Sequence, residues 1–96
     1  MSEFEILRET EGPKGRYVIR AEGGEAELTY SVSSPTLVIA DHVGVSGGLR
    51  GKGAGRALVG RLVADAMSEG FKIVPLCPFV NAQRVHHPHW SEAFAV

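Results

Sequence analysis

Cysteine is almost missing from this sequence. Cys77 is the only one, so no disulfide can form within the chain, which suits a reducing compartment. There is no excess of either charge: ten basic and eleven acidic residues give a formal net charge of −1. That balance lacks the basic footprint of a nucleic-acid binder. Long apolar runs are missing too, and nothing approaches the stretch needed to span a bilayer. The start, Met1-Ser2-Glu3-Phe4-Glu5, is acidic and has neither the basic lead nor the apolar run of a secretory signal. These absences leave a cytoplasmic domain with no nucleic-acid or membrane partner as the expectation. Length is also short: 96 residues fit one domain, residues 1–96, with a core that must be used economically.

Glycine is plentiful, with twelve against five prolines, and it clusters where the chain must turn. Phe4–Arg8 fits a first edge strand, broken by Gly12-Pro13-Lys14-Gly15. Arg16–Glu22 alternates, Tyr17, Ile19 and Ala21 opposing Arg16, Arg20 and Glu22, with Val18 the exception. Gly23-Gly24 then predicts a tight hairpin. Glu25–Val32 alternates strictly, as a half-solvated antiparallel strand does. After Ser33-Ser34-Pro35, Thr36–Val45 is more apolar and predicts a central strand covered on both faces. The period next becomes helical, with Leu58, Val59, Leu62, Val63, Ala66 and Met67 on one stripe and Gly70 at the cap position. Phe71–Leu76 is a short strand whose Pro75 suggests an edge or a splay. Pro78 opens a second helix to about Val85, Pro88 prevents its continuation, and Trp90–Val96 has no clear assignment. The order is ββββαβα: an α/β (α+β) domain with a mostly antiparallel, mixed sheet of about five strands and two helices.

Between the fourth strand and the first helix lies Arg50-Gly51-Lys52-Gly53-Ala54-Gly55. Glycines let a backbone approach a ligand, and the first N–H groups of a helix have no internal partner. With the helix dipole they favour phosphate or pyrophosphate, and Arg50 and Lys52 add positive charge. A flexible basic loop that binds nothing is the alternative. The residue after Lys52 is Gly53, so the Walker pattern fails. The preceding strands are hairpin-connected, which argues against a dinucleotide fold.

The loop, placed after a fourth strand, resembles the acetyl-CoA signature of the GNAT superfamily of N-acetyltransferases. His42-Val43-Gly44-Val45, Leu49-Arg50-Gly51-Lys52-Gly53, Val74-Pro75-Leu76-Cys77-Pro78-Phe79-Val80 and His87-Pro88 resemble its short, single-domain branch, which carries a C-P-F motif. Departures fall at Gly44, where the branch commonly has an acidic residue, around Ser46–Gly48, where it has proline character, and at Gln83, where it has an aromatic. The resemblance implies a minimal GNAT-like fold using acetyl-CoA, with Arg50, Gly51, Lys52, Gly53, Ala54 and Gly55 on the pyrophosphate and the Val45 backbone along the pantetheine arm.

Acetyl transfer needs a neutral amine and a proton acceptor. His42 is the histidine that sequence position offers as base, the alternative being a hydrogen-bonded histidine in the sheet. Cys77, at a helix start, can be a nucleophile, a thiol lining the site, or a small buried residue. Asn81 can hydrogen-bond the pantetheine amides or merely sit exposed on its helix. His86-His87-Pro88-His89 lacks the spacing of a zinc site, so no metal is expected, and Trp90 fits an anchor for the tail. The sequence thus points to an acetyl-CoA-dependent N-acetyltransferase acting on a small or peptidyl amine, as a monomer or weak homodimer. A non-catalytic module that binds CoA or acetyl-CoA is the alternative.

Overall fold

A computed structural model of the protein describes residues 4–96; Met1–Glu3 of the acidic start lie outside the described residues. Four antiparallel strands follow one another: β1 (Leu7–Glu11), β2 (Lys14–Ala21), β3 (Gly24–Ser34) and β4 (Leu37–Val45). Helix α1 (Ala54–Glu69) then crosses over to β5 (Lys72–Val74), which pairs parallel to β4, and α2 (Pro78–His86) follows. The sheet order is β1-β2-β3-β4-β5. This is the mixed five-stranded sheet and the ββββαβα order that the periodicities predict. No helix among the described residues is long and apolar enough to cross a membrane.

Alternation explains the strands. On β2 and β3, Tyr17, Ile19, Ala26, Leu28 and Tyr30 point inward and are buried, while Arg16 and Glu27 occupy the opposite face. Val18, the exception to the alternation, is fully buried yet outside the core cluster, on the outer face beside its register partners Leu7 and Glu27. The stripe of α1 covers the inner face with Leu58, Val59, Leu62, Val63 and Ala66. Met67 leaves the stripe and is 58% exposed. It continues from Val63, the least buried member, at the margin where α1 is running out. Gly70 ends the helix in the left-handed region, φ 81°, its N–H donating to Ala66 O at 2.9 Å.

Several boundaries move. Phe4 and Ile6 do not begin the first strand; they pack against the core ahead of it. Lys14 and Gly15 belong to β2 and not to the turn, because Gly15 faces Tyr30 across the ladder and the tyrosine ring fills the space a side chain would take. β4 has neighbours on both edges but is not covered on both faces: Val38 and Ala40 are buried, whereas Leu37 and Ile39 are only half-buried. The helix stripe lies on one face only. The tail does acquire structure: a 3-10 turn over Pro88–Ala93 is followed by a parallel bridge from Phe94 to Ile73, with Ala95 N–H donating to Ile73 O at 2.8 Å. It thereby covers part of the outer edge of β5.

Two irregularities position the site. Tyr30 pairs with Ala40 and Thr29 with His42, so Asp41 is an extra residue on β4. Such a bulge shifts the alternation by one. Val38 and Ala40 face the core before it, and Val43 and Val45 after it. Second, β5 pairs only with Leu37–Ile39. Once Cys77 N–H has donated to Ala40 O at 3.0 Å, β4 runs on to Val45 paired with β3 on one edge and with no strand on the other. The chain splays there.

Candidate functional site

The glycine loop begins pinned to the β2–β3 hairpin. Ser46 N–H donates to Glu25 O and Gly48 N–H to Gly23 O, both at 2.8 Å. A side chain at Gly47 would overlap Gly23, so the two glycine pairs lie against each other as bare backbone. Leu49 is buried and anchors the far side. From there the loop turns outward. Arg50 Nε donates to Val45 O at 3.3 Å, tying the first cation of the loop to the end of β4.

Gly53 holds φ 81° immediately before α1, a conformation other residues adopt only with strain. The first backbone bond of the helix is Ala57 N–H to Gly53 O, 2.9 Å. The N–H groups of Ala54, Gly55 and Arg56 therefore precede the helical ladder and point out of its positive end. Arg50, Lys52 and Arg56 surround them, and none forms an ion pair with a carboxylate among the described residues. The Arg56 guanidinium lies over Gly53.

This loop closes one end of a groove of about 790 Å³. Val45 and Leu49 form one wall, and Phe79 and Gln83 on α2 form the other. Phe79 lies across Gly55, where a β-carbon would come within 2.8 Å of the ring; a glycine in the first turn of α1 is what lets α2 approach. Gln83 Oε1 is buried at this wall and has no hydrogen-bond partner. A buried acceptor left unpaired costs free energy, which a donor entering the groove would recover.

The loop residues Arg50, Gly51, Lys52, Gly53, Ala54 and Gly55, together with Val45, thus meet around one groove. The remaining candidates are placed elsewhere. Cys77 is 5% exposed and belongs to the core cluster, outside the groove lining, because it fills the space where β5 gives way to α2. Asn81 is also outside that lining; its Oδ1 accepts from Arg84 Nε at 3.0 Å. His42 is exposed on the outer face, opposite Thr29, since the bulge at Asp41 turned it there. Phe79 and Gln83 were not foreseen as walls, although their spacing of one helical turn from a C-P-F start was a usable signal.

A residue pairing also went unforeseen. Gly44 stands directly opposite Glu27 on β3, so the Glu27 carboxylate shares the face of His42. Glu25, Glu27, Gly44 and Val45 line a small recess of about 250 Å³ that meets the main groove at Val45. Glu27 is bridged to Arg16 at 3.0 Å and Glu25 to Arg20 at 3.6 Å. His87 meets His89 edge to face at 5.7 Å and stacks on Trp90 at 4.1 Å, and no cluster of three or more metal-ligating side chains occurs among the described residues.

The family model described as GCN5-related N-acetyl-transferase matches residues 16–93, from β2 to the tail turn. The chain belongs to the GCN5-related N-acetyltransferase family. Membership in that family assigns it acyltransferase-type chemistry, and the match includes the whole of the loop, the splay and α2. No curated protein sequence matches the chain.

Proposed function

We propose that this protein is an acetyl-CoA-dependent N-acetyltransferase acting on a small or peptidyl amine. One observation carries the cofactor reading: a helix start with free N–H groups, beside three cations without carboxylate partners among the described residues, opens onto a strand edge that has lost its neighbour. A pyrophosphate needs such a donor-rich, positive cradle. An extended chain bearing amides needs a strand edge to pair with, which β4 offers beyond Ala40, and Gln83 Oε1 offers a further acceptor. Acetyl-CoA, when bound, supplies an acetyl group already activated as a thioester.

The chain's own part is then to hold and orient the donor and to take a proton from the amine. Glu27 and His42 are the groups on the outer face near Gly44 suited to that second task. The burial of Cys77 supports direct transfer to the amine over a route through an acetyl-cysteine.

A second reading has its own support. No carboxylate or imidazole lines the main groove among the described residues, as suits a module that binds CoA without turning it over. Calorimetric titration with acetyl-CoA tests the cofactor, and mass-spectrometric detection of acetylated products from a panel of primary amines tests turnover. Binding with transfer establishes the enzyme. Binding without transfer to any amine leaves the binding module, and no binding removes both.

A further inference from the structure

Helix α1 packs on the inner face of the sheet, and the outer face of β1 to β4 carries a groove of its own, about 700 Å³ in volume. Register explains it. Glu9, Arg16 and Thr29 stand in one cross-strand row, and Glu11, Lys14 and Ser31 stand in the next but one. The row between them is Thr10, Gly15 and Tyr30, which alternation turns to the inner face. Its backbone floors a trough that runs across the strands, and Asp41 closes the trough at β4. The bulge sets Asp41 and His42 side by side on this face. Asp41 Oδ2 accepts from Ser31 Oγ at 2.6 Å, and His42 stands opposite Thr29.

The trough leads toward the main groove. His42 leans along β4 to Gly44, its Nε2 3.4 Å from the place a β-carbon there would take. Gly44 lines the recess it shares with Glu25 and Glu27, and that recess meets the main groove at Val45. Charge along this path is mainly negative. Arg16 is occupied by Glu9 at 2.7 Å and Glu27 at 3.0 Å, and Arg20 by Glu9 and Glu25. Lys14 rests on the Ser31 hydroxyl at 2.9 Å. Glu11 and Asp41 have no ion-pair partner among the described residues.

We infer that this outer face docks the acceptor, and that the acceptor is a basic peptide: its N-terminal amine lies at the recess, and cationic side chains further along it meet Asp41 and Glu11. Asp41 and Val45 lie four residues apart on one strand, about 13 Å, which an extended peptide covers in about four residues. A small monoamine would occupy the recess and leave the trough empty. Arginine or lysine on the peptide suits carboxylates that lack a cation of their own, and the peptide's amides suit a trough edged by alternating donors and acceptors. The inference rests on the acetyltransferase reading above, yet it fails separately from it.

Binding of acetyl-CoA to the full chain is measured first, by calorimetry. The loaded chain is then offered short peptides with free N-termini, identical except for arginine, glutamine or glutamate at the fourth and fifth positions, and acetylated product is followed by mass spectrometry. The arginine peptide should show a kcat/KM about fivefold to tenfold above the glutamine peptide, with the glutamate peptide poorest, and the preference should shrink as salt is added. In the double variant Glu11→Gln with Asp41→Asn the arginine-to-glutamine ratio should fall to about twofold or less. Both substitutions keep an acceptor oxygen, so Ser31 keeps its partner, and the glutamate peptide tests the same charge in the unaltered chain. Equal kcat/KM for the three peptides, an undiminished ratio in the double variant, or faster acetylation of a linear polyamine such as spermidine than of the arginine peptide overturns the inference while leaving the cofactor reading in place. Acetyl-CoA binding without transfer to any of these amines overturns the inference together with the enzyme, and absence of acetyl-CoA binding overturns the cofactor reading as well.

Discussion

Toward the C-terminal end of α1, arginines are met by acids. Arg8 reaches from β1 to Asp65 at 3.2 Å and to Glu69, and Arg61 bonds Asp65 at 3.2 Å. Tyr17 donates its hydroxyl to the same Asp65 oxygen at 2.7 Å, and Tyr30 accepts from Arg8 Nε at 3.1 Å. The bond to Glu69 raises the Arg8 pKa further, against a smaller opposing effect of burial. At the N-terminal end, Arg50, Lys52 and Arg56 are just as cationic and meet no acid among the described residues. The one set is satisfied within the molecule and joins β1 to the helix. The other is left uncompensated among the described residues, beside a helix end of the same sign. Arginines alike in type thus differ in what surrounds them, and the surroundings separate scaffold from site.

Breaking the satisfied end should cost the most. Asp65→Ala leaves the Tyr17 hydroxyl without its acceptor and takes one carboxylate partner from both Arg8 and Arg61, and removing one member of such a network costs about 3 kcal/mol. Thermal unfolding should show Tm falling by more than about 10 °C, with acetyl-CoA affinity of the folded fraction unchanged. The open end should give the mirror image. Lys52→Glu with Arg56→Glu should lower acetyl-CoA affinity by about 100-fold, some 2.7 kcal/mol, while the stability of the free protein changes by no more than about 0.5 kcal/mol. Equal losses of stability and affinity in both variants would dissolve the distinction. Gly53→Glu is the poorer probe, because the φ of 81° there would strain any side chain.

A smaller effect is set by pH. Burial, and then the bond to Asp65, raise the pKa of Tyr17 in the folded protein. Above about pH 10 an unfolded tyrosine loses its proton while the folded one keeps it, so the folded state binds more protons and stability must fall as pH rises. The slope is up to about 1.4 kcal/mol per pH unit. It should be missing from Tyr17→Phe when the two proteins' denaturation midpoints are compared between pH 9 and 11. The smallest effect belongs to the groove. Gln83→Leu removes a buried, unpaired oxygen and should stabilise the free protein by about 0.5–1 kcal/mol while weakening acetyl-CoA binding several-fold. Loss of stability there would mean that the amide is already satisfied.

The sequence made some of this legible and left the rest hidden for definite reasons. β3 and α1 are clear because each presents one unbroken period, and the Gly70 cap is clear because few residues take a left-handed turn. The loop from Arg50 to Gly55 is clear because its glycines, its cations and the change of period occupy adjacent positions. Met67 misled because a stripe shows which side of a helix is apolar, not where the sheet beneath it ends. The face that His42 occupies was hidden for a different reason: a single extra residue at Asp41 changes the face of everything after it, and no local pattern announces a bulge. Cys77 offered only a residue type and a helix start, which fit a thiol in the core as well as one at the site.

By itself, then, the amino-acid sequence determined the elements, their order and the place of the glycine loop, because these depend on periodicity and backbone chemistry within a few neighbouring residues. Only the tertiary structure decided which side chains share a groove. Phe79 settles on Gly55, Glu27 stands across from Gly44, Trp90 closes over Gly60, and Arg8 finds Asp65 fifty-seven residues away. Each of these meetings follows from strand register and helix docking, which are set by the packing of the whole core and not by any segment read alone.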